Sequence, residues 1–339
     1  MDINSLLSSL LQNTQVSPNQ EGNHKPKNDN DFSNDLENWM KNLPDSIRSI
    51  IPIINLAIPG THNSGSYAIT KHSEVAPDAD ESLVLIHKLF PDKVCDWAKT
   101  QEYTFEKQLN NGIRCFDLRL APKNDDIYYV HGVYSCEVTS PLIEILNFLI
   151  DHPHEFVILN CQHFYNFGPA HHEVFKNTLL SLFETMIYSS GVDFPSLTLS
   201  EASKLKKQLI VIYCDDDSNE KFFKSSSFPC PWANTTSLER LVDYSKETIK
   251  ARSPNTALCT QLILTPDGAY IIGHLPFTLK TACARDVLNK CGSFLENQVP
   301  GPFKSGEDGK VNVFVADFVD LDDNFYTRTV IDLNMKLIS

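Results

Sequence analysis

Short apolar runs recur along this chain, and segments with helical spacing separate most of them. Ile53–Ile58, Ile113–Leu120, Ile127–Val130, Phe156–Leu159, Leu209–Tyr213 and Val311–Ala316 read as strands, with Leu262–Leu264 a weaker one. Thr104–Asn110, Leu142–Ile150, Phe175–Tyr188 and Tyr326–Lys336 read as helices. Turn residues punctuate the pattern. Pro59-Gly60 closes the first run, Gly112 follows the first helix, and His152-Pro153 stops the second. About seven or eight short strands that alternate with helices restrict the chain to an α/β barrel or a doubly wound sheet.

Length and charge narrow the function. The 339 residues allow roughly two domains or one large one. No internal repeat or second low-complexity linker interrupts the globular part, so one domain is expected over 36–339. Residues 1–35 are expected to be a disordered tail, since Asn13–Ser33 is polar with almost no apolar residues, although Met1–Leu11 has the spacing of a short amphipathic helix. Asp and Glu number 43 against 29 Lys and Arg, a net charge of −14. Such a chain is poorly suited to non-specific nucleic-acid binding, which runs on phosphate neutralisation, so no nucleic-acid partner is expected. A broad electrostatic grip on anionic membranes is disfavoured too. The nine cysteines are odd in number, irregular in spacing and without a C-x-x-C pair. That is neither a disulfide framework nor a zinc ligand set. Without a signal-like N-terminus or a long apolar window, a cytoplasmic protein is expected.

In a barrel, chemistry gathers at the C-terminal ends of the strands. The first run exits into His62-Asn63, and Ile127–Val130 exits into His131-Gly132. Phe156–Leu159 exits into Asn160 and Gln162, and Val311–Ala316 into Asp317. Along Ile113–Leu120, alternation puts Ile113, Cys115, Asp117 and Arg119 on one face. Two histidines, an arginine and two aspartates suit phosphodiester cleavage without a metal. One neutral His takes a proton from an attacking hydroxyl, and one charged His returns a proton to the leaving oxygen. Arginine holds fixed positive charge where the transition state develops negative charge. A carboxylate behind a His fixes its tautomer. Each residue alone has a structural reading; the joint placement carries the inference. His152 and His154 flank a proline in a turn, and His171-His172 are expected in a surface loop.

The motifs themselves are familiar. Ile58-Pro59-Gly60-Thr61-His62-Asn63-Ser64-Gly65, the segment Gln108–Arg119, and Tyr129-Val130-His131-Gly132 resemble three motifs of phosphatidylinositol-specific phospholipase C X domains. Phe156-Val157-Ile158-Leu159 with Gln162-His163-Phe164, Pro231-Trp232-Ala233-Asn234-Thr235, and Val315-Ala316-Asp317-Phe318 resemble further landmarks of the small eukaryotic X-domain-containing group. The resemblance spans roughly residues 45 to 335.

It implies an irregular TIM-like (β/α)8 barrel. It implies His62 as general base, His131 as general acid, Asp117 as an active-site carboxylate and Asp317 as the residue that orients His62. Arg119 stands where the calcium-dependent signalling enzymes carry an acidic ligand and the bacterial enzymes an Arg, and Gln162 stands at another acidic ligand position. The resemblance therefore implies no cofactor and no metal site. Asn63 stands where the metal-free enzymes usually have Asp. Asn63, Gln162, Tyr213 and Trp232 are expected to contact substrate. The implied activity is cleavage of phosphatidylinositol-type membrane phospholipids to diacylglycerol and inositol phosphate, with transient contact at the membrane surface. Two alternatives remain: a phosphodiesterase on another lipid class, and a non-catalytic module that binds phosphoinositide or inositol phosphate.

Overall fold

The computed structural model describes residues 34–190, 194–214 and 220–338. The helix expected over Met1–Leu11 and most of the polar tail lie outside the described residues.

Eight strands form one sheet: β1 Ile58–Thr61, β2 Cys115–Lys123, β3 Asp126–Val130, β4 Tyr134–Glu137, β5 Val157–Phe164, β6 Leu209–Tyr213, β7 Cys259–Leu262 and β8 Val313–Ala316. Six of them run parallel in the order β6-β5-β2-β1-β8-β7. The hairpin of β3 and β4 continues antiparallel from the far half of β2. Between β6 and β7 the ring is closed by irregular chain. Phe223 O accepts from Tyr213 N at 2.8 Å, and Pro229 O accepts from Cys259 N at 2.9 Å. This is the irregular TIM-like barrel that the resemblance implies, and it decides between the barrel and the doubly wound sheet left open by the strand pattern.

The continuous apolar runs explain the sheet. Strands covered on both faces need apolar residues at successive positions. On β2, Cys115 packs inside the barrel with Ile58, Ile158, Ile210, Ile212, Val313 and Val315. Phe116, Leu118 and Leu120 face outward against the helices. The expected face of β2 therefore holds for Cys115, Asp117 and Arg119 but not for Ile113. That residue precedes the strand and packs in the outer layer, where strand alternation does not reach.

The first strand also differs from expectation. Ile53–Asn55 is a 3-10 turn, and the strand begins at Ile58 and runs through Pro59-Gly60. Gly60 is required there by contact. A Cβ at this position would lie 2.8 Å from the Cys115 Cβ. The segment before it plugs the barrel floor with Trp39, Met40, Leu43 and Ile54. Buried Arg114 ties that plug to β2, donating to Glu155 Oε2 at 2.9 Å and to Glu37 O at 2.7 Å. All nine cysteines are free thiols. Among the described residues no helix is long and apolar enough to cross a membrane.

Candidate active site

At the C-terminal mouth of the barrel lies a cavity of about 510 Å³. His62, Arg119, His131, Gln162, Trp232 and Asp317 line it. Asn63 and Asp117 lie directly beneath.

His62 leaves β1 on a turn that the opening motif builds. Thr61 Oγ1 donates to Gln108 Oε1 at 2.8 Å, and Gln108 Nε2 returns to Ser64 O at 2.9 Å. Gln101 Nε2 donates to both His62 O and Ala316 O, which clamps the ends of β1 and β8 together. Gly65 packs on the Tyr129 ring, where an added Cβ would lie 2.3 Å from a ring carbon. Tyr129 stands two residues before His131. This contact therefore ties the turn after His62 to the strand that carries His131; the two imidazole centroids are 5.8 Å apart at an interplanar angle of 79°.

Each histidine has its Nδ1 committed. His62 Nδ1 lies 2.7 Å from Asp317 Oδ1. His131 Nδ1 lies 2.7 Å from Ala98 O. A carbonyl oxygen only accepts, so His131 Nδ1 carries a proton and Nε2 is the remaining nitrogen. The carboxylate likewise selects the Nδ1–H form of neutral His62. Its Nε2 then accepts from the Asn63 amide at 3.2 Å. Burial pushes the His131 pKa down to about 3, with His62 and Arg119 adding to the effect.

Asp117 organises the layer below. Its Oδ2 accepts from Asn63 N at 3.1 Å and from Arg119 Nε at 3.2 Å, and lies 4.0 Å from His62 Nε2. Burial alone would raise this carboxyl. Arg119, His62 and the Asn63 N–H outweigh it and hold the pKa below the ordinary value.

Of the other expected contacts, Gln162 and Trp232 reach the cavity. Gln162 Oε1 is buried without a hydrogen-bond partner. Trp232 stands half-exposed at the rim and donates to Thr265 Oγ1 at 2.9 Å. The expectation for Tyr213 is corrected. On β6, Ile210 and Ile212 point inward, so Tyr213 points outward into the layer of Phe164 and Phe222. Its hydroxyl meets His172 Nδ1 at 3.0 Å. The expected surface loop with His171-His172 is instead the first turn of the helix Pro169–Phe183.

Asp78 and His163 are among the cavity residues that the sequence reading does not assign to the site. Asp78 accepts from Gly132 N at 2.7 Å and so braces the turn that carries His131. Burial raises its pKa. His163 also lines the cavity, and burial together with Arg119 lowers its pKa to about 4.

Known proteins share the family and the fold of this chain. No family model matches the chain. PI-PLC X domain-containing protein 2 of Mus musculus is 34% identical over 305 residues, which is 87% of each chain. PI-PLC X domain-containing protein 3 of Homo sapiens is 32% identical over 310 residues, 88% of this chain and 94% of that one. The chain belongs to the PI-PLC X domain-containing family. Among solved structures, the phosphatidylinositol-specific phospholipase C of Staphylococcus aureus matches with a TM-score of 0.63 at 16% identity, covering 89% of this chain and 98% of that one. That of Listeria monocytogenes matches with a TM-score of 0.59 at 19% identity, covering 88% and 98%. Likeness at this identity establishes the shared barrel.

In this member of the X-domain family the donor set does not fit a calcium ion. Ca²⁺ takes about 6–8 oxygens, usually several of them carboxylate. Asp117, the carboxylate beneath His62, already holds the Arg119 guanidinium, and Asp317 is taken by His62 Nδ1. The neighbouring side-chain oxygens of Asn63 and Gln162 are neutral amides.

Proposed function

We propose that the chain is a metal-independent phosphodiesterase that cleaves phosphatidylinositol-type lipids. Diacylglycerol leaves, and an inositol cyclic phosphate forms first. The observation that carries this reading is the pair of histidines, each with Nδ1 committed and each on one cavity with Arg119.

His62 Nε2 takes the proton of the inositol 2-hydroxyl as that oxygen attacks phosphorus. Asp317 stabilises the imidazolium that results. Charge builds on the non-bridging oxygens, and Arg119, fixed by Asp117, offsets it without reorganising. The bond to the diacylglycerol oxygen breaks, and His131 Nε2 delivers the proton it needs. His131 is neutral in the empty cavity. A bound phosphodiester anion favours its protonated form, so the acid is armed by substrate. Leu83, Ile86, Trp97, Ile271 and Leu279 give the cavity apolar wall for the glyceride end.

One observation favours a second reading, a module that binds inositol phosphate without turnover. The Asn63 amide occupies the lone pair of His62 Nε2, and a base must free it to act. Incubation of the protein with vesicles of phosphatidylinositol, phosphatidylcholine, sphingomyelin or lysophospholipid separates the readings. Turnover of phosphatidylinositol that is lost in His62→Ala supports catalysis. Binding without turnover of any lipid supports the module, and turnover of another headgroup alone overturns the inositol assignment.

A further inference from the structure

The cavity contains a third histidine, and its position depends on an irregularity in the sheet. On β5, strict alternation from Ile158 would turn Asn160 and Gln162 inward and His163 outward. The register with β2 does not stay regular. Asp117 pairs with Asn160 and Leu118 with Cys161, but Arg119 pairs with His163. Gln162 is the extra residue of a β-bulge. Bulges of this kind re-aim side chains and concentrate beside active sites. Here Gln162 and His163 both reach the cavity.

His163 differs from the other two histidines in its partners. His62 is tied to Asp317 and His131 to Ala98 O. No described side chain or backbone group makes a hydrogen bond to either ring nitrogen of His163; its one recorded ring contact is a stack on Tyr165 at 5.8 Å. A half-buried imidazole placed beside a guanidinium and left with its nitrogens uncommitted has no evident structural task. Its strand neighbour Arg119 spends Nε on Asp117 and is also hydrogen-bonded by the Tyr165 side chain, so its positive charge is held beside His163.

We propose that His163 is a phosphate-contacting catalytic residue, donating a ring N–H to one non-bridging oxygen of the phosphodiester beside Arg119. This rests on the phosphodiesterase reading above. The contact strengthens as charge accumulates on that oxygen, so it acts on kcat more than on KM. Low basicity suits the task. A neutral ring next to Arg119 adds no repulsion in the empty site, yet gains strength as a donor once the anion arrives.

Two measurements test it. In the first, His163→Ala and His163→Gln are assayed on phosphatidylinositol and on both phosphorothioate diastereomers of it. His163→Ala is expected to lower kcat about 10²-fold on the oxygen substrate, as removal of one preorganised donor does. It should also shrink the rate difference between the two diastereomers. Glutamine, which keeps an N–H donor, should recover part of the loss. An equal loss on both diastereomers without recovery by glutamine, or a rise in KM with kcat unchanged, overturns the assignment. In the second, calorimetry follows the binding of inorganic phosphate, which needs no turnover. The wild-type chain should bind it, and His163→Ala should weaken binding about 5–10-fold. Equal affinity, or no binding by the wild-type chain, overturns the proposal. Failure of lipid turnover with phosphate binding still sensitive to His163 instead contradicts the phosphodiesterase reading alone.

Discussion

His62 is held from both ends: Asp317 Oδ1 lies 2.7 Å from Nδ1, and the Asn63 amide lies 3.2 Å from Nε2. The first contact selects the tautomer that a base needs. The second guards the lone pair until a substrate hydroxyl displaces the amide. Asp317→Asn preserves the shape but can present an N–H to Nδ1, which favours the wrong tautomer. We expect kcat to fall by about 10²–10³-fold with little change in KM, within the span usual for acid–base groups. Combined with His62→Ala, the second change should add little, because the two residues act as one unit. Steady-state rates on phosphatidylinositol vesicles check both statements.

Arg119 bears on metal dependence. Its guanidinium sits on Asp117, where a divalent ion would need oxygen. Turnover should therefore persist in excess chelator. Arg119→Ala should lower kcat about 10²–10³-fold, and added Ca²⁺ should not restore it. Loss of wild-type turnover in chelator, with recovery on adding Ca²⁺, would contradict the role given to this arginine.

Gly65 is a packing requirement with a functional consequence. A methyl group at this position meets the Tyr129 ring at 2.3 Å. Overpacking of a well-filled contact costs about 1–3 kcal/mol. Gly65→Ala should lower the free energy of unfolding by that order, and the melting temperature with it. It should also cut kcat more than it weakens the binding of inorganic phosphate, since it shifts His62 against His131. Thermal melts and rates on the same preparation measure the two effects.

How much of this was legible in the sequence varies by residue. β6 was readable over Leu209–Tyr213 because five successive apolar residues are what a doubly covered strand requires. Asp117 and Arg119 were readable as partners because they follow Cys115 on one face of β2. β1 was misplaced because Pro59-Gly60 reads as a turn, whereas the glycine serves close approach to Cys115. β4 is short and only partly buried, so it left no periodic signal. The resemblance implies Tyr213 as a substrate contact, whereas the inward-facing Ile210 and Ile212 put it on the other face of β6. His163 escaped as a site residue because a bulge cannot be seen in a period-2 pattern. Asp78 escaped because it acts from a connection between strands, where no periodicity exists.

The cavity histidines set a pH dependence of stability. His131 and His163 titrate at about 3 and about 4 in the folded chain, below the ordinary value of about 6.5. As pH falls below about 6.5, the unfolded chain binds protons that the folded chain does not, so stability falls. The loss continues until pH drops through the folded values. Between pH 7 and pH 5, His131→Gln and His163→Gln should each lose less stability than the wild-type chain, by an amount on the order of 1 kcal/mol. Denaturant midpoints at the two pH values check the sign. A steeper loss in either variant would contradict it.

If His62 and His131 drive attack by a hydroxyl of the headgroup itself, phosphorus NMR of phosphatidylinositol vesicles during turnover will show it. The first product should be an inositol cyclic phosphate, with its downfield resonance, formed in excess chelator and absent in His62→Ala and His131→Ala. Direct appearance of a non-cyclic inositol phosphate, or cyclic product that survives both substitutions, would contradict it.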